Sequence, residues 1–147
     1  MLRFPPPGRR WTAGAALLAA VAVGLAGCAS RKYPVRGTVT LDDGTPLTRG
    51  LVVFERVEGG PPATARGNVG PDGRYVLSTE KPEDGVPPGK YRVLVNPLDA
   101  SDVPDELRIL PFDIKYTKFA TSGLECTVPS GENDFPIRLD RPKKHRQ

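Results

Sequence analysis

Residues 33–41 read Tyr33-Pro34-Val35-Arg36-Gly37-Thr38-Val39-Thr40-Leu41, and the fold is decided here. Tyr33, Val35, Gly37, Val39 and Leu41 fall on one parity, and Arg36, Thr38 and Thr40 on the other. A period of two means an extended strand with one face buried and the other in water.

The same alternation recurs along the chain. Tyr91, Val93 and Val95 oppose Arg92, Leu124, Cys126 and Val128 oppose Glu125 and Thr127, and Phe135, Ile137 and Leu139 oppose Arg138. Further strands are expected over 50–57, with Val52 and Phe54 inward, over 64–69, and over 73–79 through Tyr75 and Leu77. Turn chemistry separates them at Asp42-Asp43-Gly44, Gly70-Pro71-Asp72-Gly73, Pro87-Pro88-Gly89 and Pro129-Ser130-Gly131. Only residues 102–110 offer any helical pattern. The expected fold class is all-β: a seven-stranded antiparallel β-sandwich over residues 33–140, burying two inner faces against each other. Pro136 sits on the outward parity of the last strand and removes a ladder donor, so that strand belongs at a sheet edge or is interrupted there. Residues 97–122 are long for a loop, and are either a functional excursion or the site of a short element near Leu107–Leu110.

The preceding segment is of another kind. Arg3, Arg9 and Arg10 lead into residues 12–26, which carry no charge. Such a stretch is shorter than the roughly 20 residues a spanning helix needs, which favours a cleaved export signal over residues 1–27. With those arginines removed, the 21 Lys and Arg against 17 Asp and Glu become nearly balanced. Nucleic acid therefore loses its electrostatic case as a partner. The 147 residues, 38% hydrophobic, suffice for one modest domain.

The signal ends in Leu25-Ala26-Gly27-Cys28, which resembles the lipobox of bacterial lipoproteins. By that resemblance Leu25, Ala26 and Gly27 form the processing site, and Cys28 becomes the new N-terminus and carries diacylglycerol on its sulfur. Each buried CH₂ contributes about 0.8 kcal/mol, so two or three chains hold a protein on a bilayer. Residues 28–32 would be the lipidated tether. Its four residues after the cysteine reach at most roughly 13–14 Å, and Arg31 and Lys32 either touch anionic headgroups or simply solubilise the domain edge. Ala29 lacks the Asp that retains some lipoproteins at the inner membrane, so the resemblance favours the outer membrane over the inner.

Within the body, Val35-Arg36-Gly37-Thr38-Val39, Asp43-Gly44-Thr45-Pro46-Leu47, Asp72-Gly73-Arg74-Tyr75 and Pro88-Gly89-Lys90-Tyr91-Arg92-Val93 resemble the carboxypeptidase regulatory-like domains, which are transthyretin-like (prealbumin-like) sandwiches. These residues serve folding: Gly44 and Gly73 permit positive φ, Pro88-Gly89 suits the centre of a type II turn, and Tyr75 and Tyr91 place rings in the core. Such a fold hosts many functions.

Candidate chemistry is sparse. The single histidine, His145, lies in a basic tail over residues 141–147 that is expected to be disordered. The transthyretin-like hydrolases acting on hydroxyisourate need core histidines that are missing here. Cys126 has core parity, which makes a thiol inert. Asp99, Asp102, Asp105 and Glu106 form either a solvated acidic loop or, as the lesser reading, a calcium site. Phe112, Tyr116 and Phe119 are candidates for stacking on a sugar, or else cover one end of the core. The expectation is a non-enzymatic, membrane-anchored lipoprotein without cofactor, exported to the cell envelope, that presents its sandwich to an envelope protein or polysaccharide. The alternative is a carbohydrate-binding module.

Overall fold

The computed structural model describes residues 31–97 and 110–143. Residues 1–27, expected to be a signal, with the expected lipobox residues Leu25, Ala26 and Gly27, the expected lipidation residue Cys28, the acidic residues Asp99, Asp102, Asp105 and Glu106, and His145 lie outside the described residues.

Eight strands are present among them: β1 (Val35–Leu41), β2 (Gly50–Glu58), β3 (Thr64–Val69), β4 (Arg74–Val76), β5 (Gly89–Asn96), β6 (Leu124–Val128), β7 (Asn133–Asp134) and β8 (Ile137–Leu139). They form two sheets. In one, β1 is central, with β4 on one side and β7 and β8 on the other; the second runs β3-β2-β5-β6. The mostly β, two-sheet architecture expected from the period-two pattern is thus present.

Several details differ from the expected antiparallel seven, and the strand expected over 73–79 is confined to β4, Arg74–Val76. The single strand expected over 135–139 is divided into β7 and β8, and both pair with β1 in parallel, Val35 opposite Asn133 and Leu41 opposite Leu139. The division falls at Phe135-Pro136. The amides of Asn133 and Phe135 donate to the carbonyls of Pro34 and Arg36, so the intervening parity, which includes Pro136, faces the open edge where no donor is required. The first strand is also shorter than its pattern: Tyr33 makes only an isolated bridge to Val86.

The core follows the parity of the sequence. Val35, Val39 and Leu41 of β1 meet Val52 and Phe54 of β2 and Tyr91, Val93 and Val95 of β5, all buried. The Phe54 ring packs edge-on against Phe135 with centroids 5.7 Å apart and tilted against Tyr91 at 6.1 Å.

Two glycines are fixed by close approach. A Cβ at Gly37 would lie 2.1 Å from the Phe135 carbonyl oxygen, so only glycine lets the chain cross β1 at this point. Gly89 does not centre a type II turn as expected. It opens β5 at φ 149°, where a Cβ would lie 2.6 Å from the Glu58 carbonyl oxygen. Gly44 and Gly73 hold the positive φ expected of their turns, 83° in both cases.

Residues 110–122 close one end. A single 3-10 turn, Ile114–Thr117, is capped by the Asp113 carboxylate, which accepts from the Lys115 amide, and a one-turn helix α1 (Phe119–Ser122) ends at Gly123 in the left-handed region, φ 65°. Neither turn was expected. Each is too short to display a 3.6-residue period in sequence.

Candidate functional site

The parallel pairing of β1 with β8 gives the sandwich two poles. The chain enters at the Val35 end and leaves beyond Leu139, one strand length away; seven residues at a strand rise separate these points by roughly 20 Å.

At the entry pole Lys32 is gripped. The Lys32 ammonium donates to Asp84 Oδ2 at 2.6 Å and to Glu80 Oε2 at 3.0 Å. Asp84 in turn organises the loop after β4, its Oδ1 accepting from the Thr79 amide at 2.7 Å and its Oδ2 from the amides of Glu80 and Lys81, each at 3.1 Å. Burial pushes the Asp84 carboxyl up. The Lys32 ammonium and these backbone amides outweigh it and hold the group well below the usual carboxylate range. Glu83, at φ 57° in the same loop, donates its amide to Ser78 Oγ at 2.8 Å. Lys32 was expected to serve lipid headgroups or water. Instead both its carboxylate partners belong to the domain.

At the exit pole, Phe112 and Tyr116 are 1% and 5% exposed and belong to the core. The Tyr116 hydroxyl meets Asp140 Oδ2 at 2.8 Å, and the Lys115 ammonium reaches the same oxygen at 2.7 Å. Their reading as a sugar-stacking platform is corrected: their faces are covered by protein. Phe119 is partly exposed, and the Arg92 guanidinium lies 4.9 Å from its ring centroid, on the face a sugar would use. Arg141, assigned to the disordered tail, is held in the domain by ion pairs with Asp42 and Asp43, and the Arg141 guanidinium with the Thr45 amide holds the Asp43 carboxyl at about 2. The domain therefore extends at least to Arg141.

Cys126 is 7% exposed, and burial pushes its thiol up to about 11. It is a core residue, as its parity implied. Among the described residues no three His, Cys, Asp or Glu side chains converge to hold a metal, and no helix is long and apolar enough to cross a membrane.

A concavity lies where the outer faces of the two sheets meet, along β3 and β4. It is an open groove of about 700 Å³ whose walls include Arg66 and Asn68 on one side and Arg74 and Val76 on the other. The strands forming it are joined by an isolated bridge between Arg66 and Ser78 and by the Gly70 amide donating to the Arg74 carbonyl. Sequence reasoning missed this groove. It depends on β3 passing from one sheet to β4 in the other, and parity within a strand does not encode that crossing. The Asp84 clamp was also missed, although an Asp just before Gly85 in a Pro-containing loop is a turn-forming signal.

No family model and no curated protein matches the chain. Among solved structures it is similar to a 9R-lipoxygenase from Cyanothece PCC8801, at 17% identity and a TM-score of 0.38, over 76% of this chain and 17% of that one. The neighbour is an enzyme, whereas this chain is expected not to be one; that expectation is not carried further, and at this TM-score the likeness carries no argument about activity.

Proposed function

We propose that the chain is an exported lipoprotein, acylated at Cys28, whose transthyretin-like sandwich is held beside a membrane and presented to another protein of the envelope. The observation that carries this reading is Leu25-Ala26-Gly27-Cys28 placed directly after a charge-free stretch that is too short to span a bilayer.

The clamp at the entry pole supports it. With Lys32 held by Asp84 and Glu80, only Ala29, Ser30 and Arg31 remain between the acylated residue and the gripped one, a reach of roughly 10 Å. A short tether that is fixed at its domain end restricts orientation as well as distance. The entry pole then faces the lipid and the exit pole, roughly 20 Å further out along β1, faces away. The local concentration of such a domain near a membrane partner is high. The two four-stranded sheets and the buried Tyr75 and Tyr91 accord with the carboxypeptidase regulatory-like resemblance. The outer membrane is the favoured location because Ala29 follows the cysteine. No observation favours the carbohydrate-binding alternative now that Phe112 and Tyr116 are buried.

The test is crosslinking in intact cells, followed by separation of membrane fractions. The expected result is a membrane-bound product with a discrete protein adduct that disappears when Cys28→Ser releases or mislocalises the chain. A product recovered in the soluble fraction with wild-type Cys28 would sink the reading.

A further inference from the structure

The groove along β3 and β4 has features that the anchoring account does not use. Arg66 makes no ion pair among the described residues, and Arg74 has only a 3.5 Å contact with the adjacent Asp72, with both side chains more than 60% exposed. Val76, between them along the groove, is 43% exposed, one of three large apolar side chains so exposed among the described residues.

Their spacing is set by the backbone. Gly70 is hydrogen bonded to Arg74 and Arg66 is bridged to Ser78, so Arg74 and Arg66 stand four strand residues apart along the groove, roughly 13 Å. Asn68 and Val76 fall at the midpoint. Arginine matches a carboxylate with a two-pronged fork, and an exposed valine is matched by an apolar side chain. An extended chain presents positions i, i+2 and i+4 on one face with this same spacing. Beyond Arg66 the groove ends at the loop carrying Glu80, Lys81 and Glu83, whose net negative charge disfavours a third acid there.

We propose that this groove binds an extended acidic peptide segment of an envelope protein with the pattern acid-x-apolar-x-acid, its two carboxylates on Arg66 and Arg74 and its central apolar side chain on Val76. This deepens the presentation role proposed above and rests on it for the identity of the partner as an envelope protein. A peptide suits the groove better than an acidic glycan because Tyr75, the one aromatic residue lining it, is 2% exposed and offers no stacking face, whereas Val76 rewards an apolar group.

The experiment is fluorescence polarisation with the acylated full chain in nanodiscs and a labelled peptide containing Glu-Thr-Val-Thr-Glu flanked by Gly-Ser. Expected are saturable binding, at least tenfold weakening by Arg66→Gln and by Arg74→Gln with unchanged thermal unfolding, and at least tenfold weaker binding of the reordered peptide Thr-Glu-Glu-Val-Thr. The proposal is overturned if the peptide does not bind, if both variants bind as the parent does, if the reordered peptide binds equally, or if hyaluronate oligosaccharide displaces the peptide at lower concentration than unlabelled peptide does. Acylation is read separately by mass on the same preparation. An acylated protein that ignores the peptide sinks only the groove assignment, and an unacylated one that binds it sinks only the anchoring.

Discussion

The Tyr75 hydroxyl donates to the Phe135 carbonyl at 2.5 Å, directly over Gly37, and this contact ties the two outer strands of the first sheet together across its central one. Tyr75 is on β4, Phe135 lies between β7 and β8, and β1 runs between them. Because Pro136 interrupts the last strand, the Phe135 carbonyl turns inward, and a buried tyrosine supplies its donor. Burial of that hydroxyl pushes its ionisation far above the ordinary tyrosine range, so it remains a donor at any physiological pH.

Tyr75→Phe leaves a part-buried carbonyl without its partner and is expected to cost about 1–3 kcal/mol in chemical denaturation. Gly37→Ala forces a methyl group against the same carbonyl and is expected to cost at least as much, about 1–3 kcal/mol or more. The double variant should cost less than the two singles combined, because both act on one contact.

Phe112→Ala removes a ring that is 1% exposed and is expected to cost about 3–5 kcal/mol by thermal or urea unfolding. Tyr116→Phe keeps the ring and loses the bond to Asp140, costing about 1 kcal/mol. Neither change should alter retention on insoluble glycans, which a stacking platform would require.

Asp84 makes stability depend on pH with a defined sign. Its folded pKa lies below that of the unfolded chain, so its contribution is complete above about pH 4 and is lost as pH falls through the depressed folded value. In Asp84→Asn the decline below pH 4 should be shallower than in the parent, as measured by urea midpoints between pH 2 and 7. At pH 7 the same variant is expected to be less stable by about 1–3 kcal/mol, since charged hydrogen bonds to three amides and Lys32 are weakened.

Cys126 should resist alkylation. With its thiol pushed up to about 11 and its side chain in the core, iodoacetamide at pH 8 is expected to leave the folded domain unmodified and to label it fully in denaturant, as read by intact mass.

What the sequence disclosed was whatever parity and punctuation encode. Residues 33–41 gave the face of β1, Leu124-Glu125-Cys126-Thr127-Val128 gave β6 without error, and Pro136 marked where the last strand breaks. The parallel pairing of β7 and β8 with β1 was not legible, because alternation names a strand's buried face and not its neighbour. The turns over 114–122 were hidden by brevity. The groove at Arg66, Val76 and Arg74 was hidden because its residues come from strands of different sheets and meet only at a corner. Lys32 could be seen as a charge just before the first strand, but its carboxylate partners lie 48 and 52 residues away.

The proposed attachment through one sulfur is tested most directly by growing cells on tritiated palmitate and recovering the protein for autoradiography and intact mass. The account predicts label on the wild-type product, a mass corresponding to a chain that begins at acylated Cys28, and no label on Cys28→Ser. An unlabelled wild-type product, or one that still carries residues 1–27, would contradict it.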